Sequence, residues 1–95
     1  MAVVATYSYD PATVEARKEI LDQHLAFIGG LEEAGTLLAV GRLGEASVDI
    51  LFLLNAADAA EALRILAEDP YNRAGYVSSI TAHEWSPTRG RLAPL

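Results

Sequence analysis

The segment from Val48 to Leu54 (VDILFLL) constrains the fold most. Val48, Ile50, Phe52 and Leu54 fall on one face of a strand, and Leu51 with Leu53 makes the other face apolar as well. A strand wetted on one side alternates apolar and polar residues, so this one needs cover on both.

The remaining segments say what cover is available. Ala2 to Tyr9 is a β-branched and aromatic run and predicts a first strand. Asp10-Pro11 ends it with an N-cap residue and a proline suited to the first helical position. From Ala12 to Ala34 apolar residues recur at helical spacing through Val14, Leu21, Leu25 and Ile28, with Ile20, Phe27 and Leu31 beside them. Gly29-Gly30 is the weak point of that helix, where a bend or break is expected, and Gly35 suits its C-cap. Thr36 to Leu43 predicts a second strand, broken by Gly41 and Gly44, and Val48 to Leu54 the third. Asp58 with Glu61 opens a second helix in the manner of a capping box, running to about Glu68 and stopped by Asp69-Pro70. Tyr71 to Gly75 reads as a turn and Tyr76 to Trp85 as a fourth strand.

The order β-α-β-β-α-β is an α+β, ferredoxin-like unit. Its two helices cover one face of the sheet. A homodimer packed sheet to sheet would cover the other, and a C-terminal tail folded over the sheet is the monomeric alternative.

With 95 residues the chain is one domain, read as residues 1–86 followed by a tail at 87–95. A net charge of −6 and no basic run longer than Arg17-Lys18 argue against nucleic acid and against a polybasic membrane patch. No apolar stretch approaches the roughly 20 residues of a membrane span, and no secretory signal opens the sequence. The lack of cysteine removes disulfides, thiolate catalysis and cysteine-ligated metals, and fits a cytoplasmic protein.

Among chemical groups, His24 is the most informative. It falls inside the apolar stripe, with Ile20, Leu21, Phe27 and Ile28 three and four residues away. Its ring nitrogens need a partner there, either a backbone carbonyl in a plain core or a functional group in a pocket. Arg17 lies two turns earlier on the same face, placed to meet an anion or to extend into water. Asp69, with Glu68, puts negative charge at the C-terminal end of the second helix, against the macrodipole. That marks either a functional carboxylate or a cap for the turn that follows. A carboxylate that orients the imidazole would fix its tautomer and leave the other nitrogen to move a proton.

Other residues signal less. His83 reads as a surface or dimer-contact residue. The two histidines form no helical metal motif, so no metal is expected. Gly41-Arg42-Leu43-Gly44 is too short for a phosphate cradle. Tyr7, Tyr9, Tyr71 and Tyr76 either line a pocket for an organic ligand or pack with their hydroxyls at an edge. No serine has an adjacent base.

In sequence order, His24-Leu25, Leu31-Glu32-Glu33-Ala34-Gly35, Val40-Gly41 and Asp69-Pro70-Tyr71 with Gly75 resemble the YCII-related (YciI-like) proteins, from Tyr7 to Trp85. The resemblance implies a dimeric α+β barrel, similar to muconolactone isomerases, and a histidine–aspartate active site at His24 and Asp69. It also implies small-molecule chemistry, which in some relatives is elimination of chloride from chlorinated hydroxyhydroquinones. Two departures stand out. The arginine that the family often carries one turn before the histidine is Leu21 here, with Arg17 placed to substitute. The usual A-G-P after the second strand is Val40-Gly41-Arg42, followed by an unusually short loop to Val48.

The leading expectation is a small enzyme, an isomerase or lyase acting on a small cyclic or aromatic compound. His24 and Asp69 would be catalytic, with Arg17, Tyr7 and Tyr71 binding substrate. Proton transfer of this kind requires no cofactor. The alternative is a non-catalytic dimeric module that binds a ligand or partner.

Overall fold

Along β1 (Ala2–Tyr9), Val3, Ala5, Tyr7 and Tyr9 point to one face and are buried. The computed structural model describes residues 1–44 and 48–95, so the short loop expected before Val48 lies outside the described residues. β1 pairs antiparallel with both β3 (Asp49–Asn55) and β4 (Val77–Trp85), and β2 (Leu37–Arg42) completes an antiparallel sheet in the order β2-β3-β1-β4. Val3 opposite Leu54 and Ala5 opposite Phe52 put the alternating residues of the two central strands on a common face. Tyr7, Phe52, Leu54, Leu66 and Val3 form the largest fully buried side chains of that core, beside one carboxylate, Asp69.

Helices cover this face, as the order of segments predicts. Asp58 caps α3 (Ala59–Leu66) by accepting the Glu61 N–H at 2.8 Å, while Glu61 reaches back to the Ala57 N–H at 3.2 Å. α3 buries Ala62 and Leu66. Gly35 ends the preceding helix with φ 77°, a left-handed value that glycine adopts without steric cost.

The long helix differs from its expectation. It divides at Ile20 (φ −117°, ψ 20°) into α1 (Val14–Glu19) and α2 (Leu21–Glu33), and Gly29-Gly30 continue helical. The cause is a tertiary contact at the Arg17 carbonyl. That oxygen accepts the Ile20 N–H at 3.3 Å and the Tyr71 hydroxyl at 3.1 Å, which ends the α-helical ladder there. The segment expected as a plain turn after Asp69 contains one short helix, α4 (Pro70–Arg73), closed by Gly75 at φ 81°.

The opposite face of the sheet is also apolar. Val4, Ala39, Leu51, Leu53 and Trp85 surround a groove of about 580 Å³, and Leu92 of the tail reaches its wall. His83 sits in the same groove, a surface position as expected. No helix among the described residues is long and apolar enough to cross a membrane.

Candidate active site

The site is assembled where the end of α3 meets the middle of α2. Asp69 follows α3 and precedes Pro70, with extended backbone (φ −58°, ψ 129°) that turns its side chain inward. It is fully buried, yet both of its oxygens have partners. Oδ1 accepts the Tyr71 N–H at 3.0 Å and faces His24 Nδ1 at 2.8 Å, and Oδ2 accepts the Tyr7 hydroxyl at 3.0 Å. Asp69 is the cap for the turn that follows it, and the oxygen that caps also meets His24. An ionised carboxylate can only accept, so a neutral imidazole facing it at 2.8 Å carries its proton on Nδ1.

The His24 ring is fixed from a second direction. It stacks on Tyr71 with centroids 4.0 Å apart and planes 6° from parallel. Tyr71 in turn meets Tyr9 edge-on at 5.7 Å, and its hydroxyl donates to the Arg17 carbonyl. Each buried side-chain nitrogen or oxygen among the described residues has a partner, and Nε2 has no hydrogen bond there. Nε2 is therefore the accessible nitrogen. The His24 side chain is 12% exposed, against 0% for Asp69.

It faces a cleft of about 440 Å³. Tyr9, Arg17, Arg42 and Tyr71 supply the polar wall around His24. Leu21, Leu25, Val48 and Ile50 supply the apolar one. Leu21 and Leu25, expected to pack as a core stripe, are 41% and 54% exposed because they edge this cleft, and α2 packs instead through Ile28 and Leu31. Arg17 is held in place: Nε donates to Thr13 Oγ1 at 3.1 Å, and Cζ lies 4.1 Å above the Tyr9 ring.

Electrostatics follow from burial. Burial pushes the Tyr9 hydroxyl up to about 12, the Asp69 charge adding to the shift and Arg17 opposing it. Tyr71 is also raised by burial, with Arg17 opposing. Tyr7 is raised furthest, by burial and then by Asp69, so all three stay neutral hydroxyls at ordinary pH.

The structure brings His24, Asp69, Arg17 and Tyr71 together and corrects the expectation for Tyr7. Its ring is fully buried behind Asp69, stacked obliquely on Phe52 at 4.7 Å, and reaches no wall of the cleft. One hydroxyl proton there faces two acceptors, Asp69 Oδ2 and the Leu66 carbonyl at 3.1 Å. Tyr7 thus holds the carboxylate rather than a ligand. Arg42 is the residue that sequence reasoning missed, having been weighed only within a phosphate motif. The pairing of β2 with β3 gives the signal: Arg42 is opposite Ile50, on the helix side of the sheet. Among the described residues, no three histidine or acidic side chains gather as a metal site.

The chain belongs to the YCII-related family, whose model matches residues 1–86. Its fold is similar to a 5-chloro-2-hydroxyhydroquinone dehydrochlorinase from Burkholderia phenoliruptrix in complex with 2,5-dihydroxybenzoquinone. That likeness has a TM-score of 0.76 at 18% identity, over 90% of this chain and 94% of that one. It is also similar to a NIPSNAP family protein from Agrobacterium tumefaciens (TM-score 0.59, 13% identity, 96% of each chain). A NIPSNAP domain protein from Burkholderia xenovorans gives a TM-score of 0.54 at 18% identity, over 99% of each chain. At such identities the likeness is one of fold, the ferredoxin-like sheet with helices on one face. No curated protein matches the sequence.

Proposed function

We propose that the cleft at His24 is the active site of a small-molecule enzyme that works by proton transfer, an isomerase or lyase acting on a cyclic or aromatic compound. The observation that carries this reading is the 2.8 Å contact between His24 Nδ1 and a fully buried Asp69, with Nε2 left on a 440 Å³ cleft. Asp69 holds the ring in the Nδ1–H tautomer and stabilises the imidazolium formed when Nε2 takes a proton from substrate. In an isomerisation the imidazolium returns that proton to another atom. In an elimination a leaving group departs with its bonding electrons as the proton is removed. The dehydrochlorinase likeness supports the second course, and no bound cofactor is needed for either.

The reading includes a cytoplasmic homodimer. The apolar groove on the outer face, with Trp85 40% exposed at its edge, supports a second copy as its cover. One observation favours the non-catalytic alternative. Asp69 caps α4 and anchors Tyr7, structural tasks that stand without His24.

The test is a panel of cyclic and aromatic compounds that includes 5-chloro-2-hydroxyhydroquinone, assayed by product absorbance and chloride release. Turnover that falls about 100-fold or more in His24→Ala supports the reading. Turnover that survives the substitution overturns it.

A further inference from the structure

The carbonyl of Leu66, the last residue of α3, meets more donors than it has lone pairs. Pro70, four residues on, has no N–H to continue the helical ladder to it. Three other groups reach that oxygen instead: the Asp69 N–H at 3.1 Å, the Asn72 side-chain amide at 3.2 Å and the Tyr7 hydroxyl at 3.1 Å. A carbonyl oxygen has two lone pairs, and the two amides fill them. The single Tyr7 proton has a stronger acceptor 3.0 Å away, the charged Asp69 Oδ2, which has no other partner among the described residues. Burial and then the Asp69 charge raise the Tyr7 hydroxyl far above its ordinary range, so it keeps that proton and can go on donating it. The donors thus run in one direction, from Asn72 to Leu66 and from Tyr7 to Asp69, whose other oxygen meets His24 at 2.8 Å.

We propose that Tyr7 and Asn72 are positioning residues of the His24–Asp69 pair: Asn72 occupies the Leu66 carbonyl, which directs the Tyr7 hydroxyl onto Asp69 Oδ2, and that bond sets how firmly Oδ1 holds the His24 ring. It rests on reading His24 as the reacting base and adds two residues, neither touching the cleft, that tune it. A hydrogen bond at Oδ2 draws carboxylate charge away from Oδ1, so the acceptor facing Nδ1 is weakened while the carboxylate stays ionised. Without that donor the charge collects on Oδ1, the bond to Nδ1–H strengthens, and the imidazolium form of the ring is favoured. A base that holds its proton too firmly is less free to take one from substrate and pass it on. Around the ring the other titratable or charged groups among the described residues are Tyr9 on β1, Arg17 on α1, Arg42 on β2 and Tyr71 on α4. All four are common to the variants compared below, so the differences read Tyr7 and Asn72.

The test is an NMR pH titration of the His24 ring in the whole protein, comparing wild type with Tyr7→Phe, Asn72→Ala and the double variant. Tyr7→Phe keeps the ring packed on Phe52 and removes only the hydroxyl, and thermal melts of all variants confirm folding. The midpoint at which the ring takes up its second proton should rise by about half to one pH unit in Tyr7→Phe. Asn72→Ala frees the Leu66 carbonyl to compete for the Tyr7 proton and should move the midpoint the same way by less. The double variant should match Tyr7→Phe, because without the hydroxyl Asn72 has nothing to direct. In the neutral ring the Nδ1–H resonance should move downfield in the same order, a readout independent of the midpoint. A ring unchanged by Tyr7→Phe in both readouts overturns the inference, and His24-dependent turnover found alongside it leaves the site reading standing. Asn72→Ala without effect, or adding in full to Tyr7→Phe, overturns the role of Asn72. The predicted shifts in a protein whose turnover survives His24→Ala support the positioning network and overturn only the catalytic reading.

Discussion

The imidazole of His24 lies flat on the ring of Tyr71, 4.0 Å between centroids, while both residues bond the same Asp69 oxygen. Ring orientation and hydrogen bonding are thereby set within three consecutive residues, Asp69-Pro70-Tyr71, in a chain turn pre-shaped by Pro70. The ring is held from two directions in the free protein, the pre-organisation that the proposed proton transfer would need.

Tyr71 should be separable into its two contributions. Tyr71→Phe loses the hydroxyl bond to the Arg17 carbonyl but keeps the stack, and should cost about 1 kcal/mol. Tyr71→Ala empties a site that is 4% exposed and should cost about 3–5 kcal/mol. Chemical denaturation of both variants measures the difference.

Asp69→Ala leaves the Tyr71 N–H and His24 Nδ1 without their acceptor inside a closed site and should destabilise the fold by about 3 kcal/mol or more. Asp69→Asn keeps the shape and should cost less. It should still lower activity, because a neutral amide stabilises the imidazolium poorly. Denaturation midpoints and turnover, measured on the same preparations, check both statements.

Alkaline pH should weaken the protein through its buried hydroxyls. Tyr7, Tyr9 and Tyr71 have values raised above the ordinary 10.0, Tyr9 to about 12. Between those values the unfolded chain has released protons that the folded one retains. The stabilisation is fully present below pH 10.0 and is lost as pH rises through the folded value. Tyrosinate absorbance should lag behind that of free tyrosine, and the melting temperature should fall over the same range.

Dimerisation through the outer sheet face predicts a solution mass about twice the 10.2 kDa of the chain. Leu51→Lys, on that face and remote from the His24 cleft, should shift the mass toward the monomer. Light scattering of wild type and variant at matched concentration reads both.

Much of the fold is legible in local residues. Asp58 with Glu61 and Gly35 announce helix ends through bonds and dihedrals that depend on neighbours only. The break at Ile20 is not of that kind. It depends on a hydroxyl from Tyr71, which is 54 positions from the Arg17 carbonyl it meets, whereas Gly29 and Gly30 have open space around them and remain in the helix. The site divides in the same way. His24 is marked by an imidazole in an apolar stripe and Asp69 by a charge at the wrong end of a helix. Arg42 carries no local mark, since only the pairing of β2 with β3 places it beside the cleft. Tyr7 was misread because alternation along β1 tells which face a ring takes but not whether a carboxylate stands between it and the cavity.

The central claim is that Asp69 fixes the His24 tautomer and leaves Nε2 as the base in the cleft. The most direct measurement is the pair of ring ¹⁵N shifts of His24 in the neutral imidazole, in wild type and in Asp69→Asn. The account predicts a protonated Nδ1 and a bare Nε2 in wild type, with the preference weakened in the variant. A wild-type ring protonated on Nε2, or shifts unchanged by Asp69→Asn, would contradict it.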